Sequence, residues 1–334
     1  MDGQRYSQYF DAETGVILRP PESAGFEPFG DGVWRSSWFY ASLIVIAAKE
    51  AATYHKLQHE HGLNVSMAGK FLQHFRDNNI GDGGWTVPKA DQKFSRDQLV
   101  PLLYLLETVA AYQPAFKAAG TDILKSLSKL EEHGTPLSDS PQGSIGRNIG
   151  YLVDVLSDDA RYGINYRTSD LPVYLVPCLG NIKCAKGNRR KFYKEMFGWA
   201  IQSHQLAGWV QGSTGLKVSD EYSVFNALGA VSLQCAAWGK DDSDVQEWRD
   251  HFKMFADDGW GPAFRLVAGR SVADADIDVY YTSNMTRDLD NDIIIAQRPG
   301  KIKSGEFQPG LPSGPDRWLL LDYVILKGLQ LLWA

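Results

Sequence analysis

The stretch SRDQLVPLLYLLETVAAY, residues 95–112, decides the fold class. Leu99, Leu102, Leu103 and Leu106 fall at i, i+3, i+4 and i+7, which lines one face of a helix. Its opening is that of a capping box: Ser95 caps, Gln98 reaches back, and Asp97 complements the helix dipole. Working outward, Trp34 to Leu57 shows the same period, with Trp38, Leu43, Ile46 and Ala47 on one side. Shorter helical patterns are predicted over 65–77, 115–133, 144–156, 189–206, 219–238, 243–255, 286–298 and 315–333. Alternation of the strand type is scarce, so the expected class is all-α.

Breakers separate these helices. The stretch 78–88 holds three glycines and a proline, and 134–143 and 208–215 are similar. Long connections (11–33, 78–94, 134–143, 208–218, 256–285) alternate with short ones near 58–64, 113–115 and 239–242. In antiparallel helix pairs, alternate connections lie at opposite ends, so the long ones share a face. A closed ring of such pairs is an α/α toroid, expected here as a single domain over residues 1–334. The segment 170–187, with Pro172 and Pro177, interrupts the scheme, because proline breaks a regular helix.

Composition narrows the function classes. The chain is 44% hydrophobic and 22% charged with a formal net charge of −6, ordinary for a globular protein and poorly suited to a phosphate backbone. The one basic run, KGNRRKFYK at 186–194, reads as a solvated helix start. Cys178, Cys184 and Cys235 form no CxxC pair, and their odd number argues against a disulfide framework. Residues 1–20 lack a basic start followed by an apolar run, and nothing approaches a membrane span; a cytoplasmic protein without nucleic-acid or membrane partners is expected. Nucleotide-binding GxGxxG and GxxxxGK[ST] motifs and the GxSxG elbow are absent, and no cofactor is expected. Ten tryptophans and fifteen tyrosines are material for a core, or for a cleft that receives sugar rings.

The long connections deliver chemistry to helix starts. The first brings Gly30-Asp31 and then Trp34-Arg35; the second brings Asp82-Gly83-Gly84-Trp85 and then Ser95-Arg96-Asp97-Gln98. Later ones bring Arg147-Asn148, Asp220-Glu221, and Asp288, Asp290 and Asp292. Gathered at one mouth, carboxylates beside arginines can acquire separated pKa values and serve as acid and base. Each acid also fits the ordinary preference for first-turn carboxylates. Asp288–Asp292 starts like a calcium loop, but Ile293 and Pro299 stand where glycine and the closing acid belong. Two of these carboxylates could still hold magnesium, though no metal site is expected. Asp274, Asp276 and Asp278 read as a solvated turn, and His55, His59 and His61 as a helix C-terminus rather than ligands.

This layout resembles the α/α-toroid glycoside hydrolases and polysaccharide lyases, through Gly30-Asp31…Arg35, the DGGW of 82–85 and the SRDQ of 95–98. The resemblance covers most of the chain as architecture and about a dozen residues as motif. It implies a carbohydrate-active enzyme, in the leading reading an inverting glycosidase acting on an oligo- or polysaccharide. Asp97 and Asp31 are then the catalytic acid and base, in an open order, about 6.5–9.5 Å apart to admit a water. Trp34 and Trp85 would stack on sugar rings. Arg35 and Arg96 would hold hydroxyls or an acidic sugar, with Asp82, Arg147, Asp288 and Asp290 completing the mouth. A lyase reading instead takes Tyr151 or Tyr162 as base and Arg147 as the carboxylate-neutralising group. A non-enzymatic helical scaffold and a terpene-type cyclase complete the alternatives. The DGGW occurs once here, without the DxDD of triterpene cyclases, and 288–292 does not match DDxxD.

Overall fold

A computed structural model describes residues 11–17, 32–79, 96–120, 123, 190, 193, 221–257, 262–278, 281 and 319–334. At 32, 34, 78–79, 96–99, 221–226, 254–257 and 319 it describes the backbone. The helices are α1 (Gly32–Lys49), α2 (Ala51–His61), α3 (Ser66–Asn79), α4 (Arg96–Tyr112), α5 (Glu221–Trp238), α6 (Ser243–Asp257), α7 (Pro262–Val267), α8 (Asp274–Asp278) and α9 (Leu319–Trp333), with a 3-10 turn at Pro114–Phe116. Among the described residues there is no extended strand, in agreement with the all-α expectation.

Four helices make the centre. α1 packs against α4 and α9, and α4 packs against α5. Every residue from Arg35 to Ile46 is buried, as is every residue from Val100 to Val109. Both are therefore enclosed on all sides, which an apolar helix tolerates only inside a second layer. That layer includes α3, which buries Met67, Ala68, Phe71, Leu72 and Phe75 on one face, and α6, which buries Val245 and Phe252.

The central helices run parallel. Near their starts, Trp38 of α1 and Val100 of α4 both lie against Gly229 of α5. Near their ends, the Cys235 thiol of α5 donates to the Leu332 carbonyl of α9 at 3.7 Å, and Lys49 of α1 donates to the Leu331 carbonyl at 2.8 Å. Cys235 acts electrostatically on Tyr112, the last residue of α4, and Lys49 acts on Cys235. Parallel dipoles place partial negative charge at this shared C-terminal end. Lys49, and Lys240 on the Ala334 carbonyl, answer it. Burial pushes the Cys235 thiol up to about 12 even beside these cations, so it is a core residue without thiolate chemistry.

Two expectations are corrected. The 34–57 pattern is two helices, because Glu50 leaves helical geometry at φ −142°, ψ 75°. Glu50 still donates its N–H to Ile46 and accepts from Tyr54, so the break costs little backbone bonding. It lets the largely exposed α2 leave the buried path of α1. The 256–285 connection holds α7 and α8, which bury Phe264, Val267 and Ile277. Asp274, Asp276 and Asp278 are exposed on α8 rather than on a turn.

Two ties hold the chain across the helices. Residues 11–17 form a hook: Tyr40 donates to the Gly15 carbonyl at 2.5 Å, and Ile17 donates to Ser36 Oγ at 2.9 Å. Gly15 sits at φ +77°, and a Cβ there would meet the Met67 carbonyl oxygen at 2.6 Å. Arg190 grips Asp242 with both terminal nitrogens at 2.8 Å, reaches Asp244 at 2.5 Å, and stacks on Trp238.

Gly328 lets α9 approach α1: a Cβ there would lie 2.4 Å from Ser42 Cβ and 2.6 Å from its Cα. Gly328→Ala is expected to destabilise the protein by about 1–3 kcal/mol in urea unfolding, since the backbones must separate. The Arg190 guanidinium holds the Asp242 carboxyl below the usual carboxylate value of 3.8. A depressed folded pKa contributes stability that is present above the unfolded value and is lost as pH falls through the folded one. The Tm difference between the native chain and Asp242→Asn is therefore expected to be full at neutral pH and to close as pH drops below about 4.

Candidate functional site at the helix N-termini

Because α1, α4, α5 and α9 are parallel, their N-termini gather at one end, where partial positive charge favours carboxylates. The starts of α1 and α4, at Gly32 and Arg96, thus share an end. Arg35 lies on α1 near its start and is buried, only 6% exposed. Trp34 is in the first turn of α1, and Arg96 and Asp97 are the first two residues of α4; for these three the backbone is described. Asp31, Asp82, Trp85, Arg147, Asp288 and Asp290 lie outside the described residues, as do Tyr151, Tyr162, Asp220 and Asp292. Glu221 is the first residue of α5.

Pro101 sits within α4. Having no N–H, it cannot donate to the carbonyl four residues back, which is that of Asp97. The first turn of α4 is therefore bonded less completely than the turns that follow.

Several polar side chains of the inner helices are buried in the core. Ser37 Oγ, Trp38 Nε1, Ser42 Oγ, Tyr104 OH and Ser232 Oγ are buried without a well-formed hydrogen bond. Trp38 meets the Tyr104 ring edge-on at 5.4 Å. Burial pushes the Tyr104 phenol far above its ordinary value, and the adjacent Ser42 hydroxyl offsets this only in part. A buried polar group without a partner costs about 1–3 kcal/mol, so these groups lower the stability that the core would otherwise have. Sequence periodicity identified Trp38 as core but gave no sign of Ser42, Tyr104 or Ser232, because serine and tyrosine fit a helix face without showing what lies opposite.

Glu107, a buried acid of α4, has a structural role. It accepts from the Tyr193 hydroxyl at 2.6 Å, and Gln234 of α5 donates to the Tyr193 carbonyl at 3.4 Å. Asp322, near the start of α9, is fully buried. At the other end of that helix Trp333 stacks under Arg249 of α6. Among the described residues no group of three or more His, Cys, Asp or Glu is placed to hold a metal ion. His61 packs edge-on to Tyr281 at 5.3 Å, and Tyr281 in turn packs on Tyr323. Among the described residues no helix is long and apolar enough to cross a membrane.

Tyr104→Phe removes a buried hydroxyl that makes no well-formed bond. The variant is expected to match or exceed the native chain in stability, by up to about 1–3 kcal/mol, in denaturant unfolding.

With this geometry in view, comparison with known proteins adds no relative: no family model, curated protein or solved structure matches the chain.

Proposed function

We propose that this chain is an α/α-toroid enzyme that cleaves a saccharide at the mouth formed by the N-termini of its inner helices, and that it is an inverting glycosidase. The observation that carries the reading is the parallel packing of α1 and α4. It sets the α1 start, which Asp31 immediately precedes, at the same end as the α4 start, where Asp97 is the second residue. Parallel inner helices enclosed by a second layer are also the arrangement that a toroid of helix pairs requires.

In this reading the two aspartates take the acid and base roles, Trp34 and Trp85 stack on sugar rings, and Arg35, Arg96 and Arg147 lend positive charge to the mouth. Asp82, Asp288 and Asp290 accept hydrogen bonds from substrate hydroxyls.

The test is reducing-end release from a panel of neutral and acidic glycans by the native chain and by Asp97→Asn. The expected result is turnover on one class, a fall of about 10²–10⁴-fold in kcat for the variant, and a first-formed product of inverted anomeric configuration by proton NMR. A product with new ultraviolet absorbance from an unsaturated ring would replace hydrolase with lyase. Full turnover by Asp97→Asn, or no cleavage of any glycan, would overturn the reading.

A further inference from the structure

Two histidines of α2 take no part in the packing described so far. His55 and His59 stand four residues apart on this helix, and both are exposed. Side chains at that spacing are neighbours on one helical stripe, with Cβ atoms about 5–6 Å apart. Imidazole nitrogens so placed can share one metal ion.

The His55 ring is already oriented for such a role. Its Nδ1 lies 3.2 Å from Gln58 Oε1. The Gln58 amide nitrogen donates to the Tyr54 hydroxyl at 3.1 Å, which leaves the carbonyl oxygen toward the ring, and a carbonyl oxygen only accepts. Nδ1 therefore carries the proton, and Nε2 keeps the lone pair that a metal ion takes. A histidine ligand is commonly held in this way through its other nitrogen. The Val65 N–H donates to the same Tyr54 hydroxyl at 3.1 Å, so the chain of bonds is anchored on backbone beyond α2. Nearby charge is also arranged for a cation. Lys56 stands three residues before His59, but its ammonium is drawn over the Tyr281 ring, 3.9 Å from the centroid. Tyr281 in turn donates to Glu60, so the stripe of Lys56 and Glu60 is engaged while that of His55 and His59 faces solvent. Both histidines lie toward the C-terminal end of α2, where backbone carbonyls favour positive charge. A helix-end preference alone accounts for His61, which packs on Tyr281, but not for the oriented ring of His55.

We propose that His55 and His59 bind one divalent transition-metal ion through two imidazole nitrogens, copper(II) most tightly. Ala51, Ala52, Gly62 and Leu63, one turn to either side, offer no side-chain ligand. The chain thus supplies two ligands and water the rest, in keeping with the lack of a three-ligand group among the described residues. Imidazole suits copper, nickel and zinc, and copper(II) leads the affinity order wherever the protein does not impose a geometry. An exposed pair on a single helix imposes little. Gln58 is a positioning residue, since it acts through His55. The site stands apart from the glycosidase reading and does not rest on it.

Titration of the full chain with copper(II) alone, followed by calorimetry and electron paramagnetic resonance, tests the site. The expected result is a tightest class of one equivalent whose spectrum carries the splitting of two nitrogens. His55→Ala and His59→Ala, both at exposed positions, should each remove one nitrogen from that spectrum and weaken binding by more than about tenfold. Gln58→Ala should keep both nitrogens and weaken binding by about tenfold, as loss of an orienting partner does. His61→Gln should leave the spectrum and the affinity unchanged. The unfolded chain offers the two imidazoles only separately. Copper(II) at a hundred times its dissociation constant is therefore expected to lower the unfolding constant of the native chain in urea by up to about 100-fold, and to have little effect on the variant lacking both histidines. A spectrum that survives in both single variants, or a loss spread evenly over all seven histidines of the chain, would mean adventitious binding only and would overturn the site. Unchanged affinity in Gln58→Ala would overturn its positioning role.

Discussion

The rest of the molecule depends on the close parallel approach of α1 to its neighbours. Parallel helices give up the favourable dipole arrangement of antiparallel pairs, so something else must hold them. Here it is small residues at the contacts. Gly229 leaves room for Trp38 and Val100, and Gly328 leaves room for Ser42. A helix buried on every side must also be enclosed, and α3, α6 and the 11–17 hook belong to that enclosure. The parallel arrangement then separates the ends by charge, with lysines at the C-terminal end and acid-bearing helix starts at the other.

Much of the helix content was legible in the sequence, because α4, α5 and α6 each carry apolar residues at helical spacing. Their start positions in the structure, at Arg96, Glu221 and Ser243, fall within two residues of those the pattern predicts. Periodicity could not reveal the break at Glu50, since a single residue in extended geometry leaves the pattern on either side intact. Nor could it reveal α7 and α8, whose few residues are too short to show a period. The shared direction of α1, α4 and α5 was implied by alternating loop lengths, an argument about connections rather than about side chains, whereas that of α9 was not.

The candidate site was legible differently. Acid and arginine at helix starts stand out in the sequence, but ordinary capping produces the same pattern, so residue types alone could not separate the two. Arg35 is where the structure adds most. In the sequence it is one basic residue near a helix start, whereas in the fold it is a buried cation on an inner helix. Ser42, Tyr104 and Ser232 were silent in the sequence, because being unsatisfied is a property of surroundings and not of residue type.

The hook at 11–17 has a further consequence for evolution of the chain. Ile17 is fastened to Ser36, a residue of α1 itself, so residues 18–31 join two points that the fold already holds together. The entropy of closing such a connection grows only with the logarithm of its length, about 0.6 kcal/mol for each doubling. Residues can thus be added to or removed from it at little cost to the core. The length of this connection can drift while the hook and α1 keep their contact.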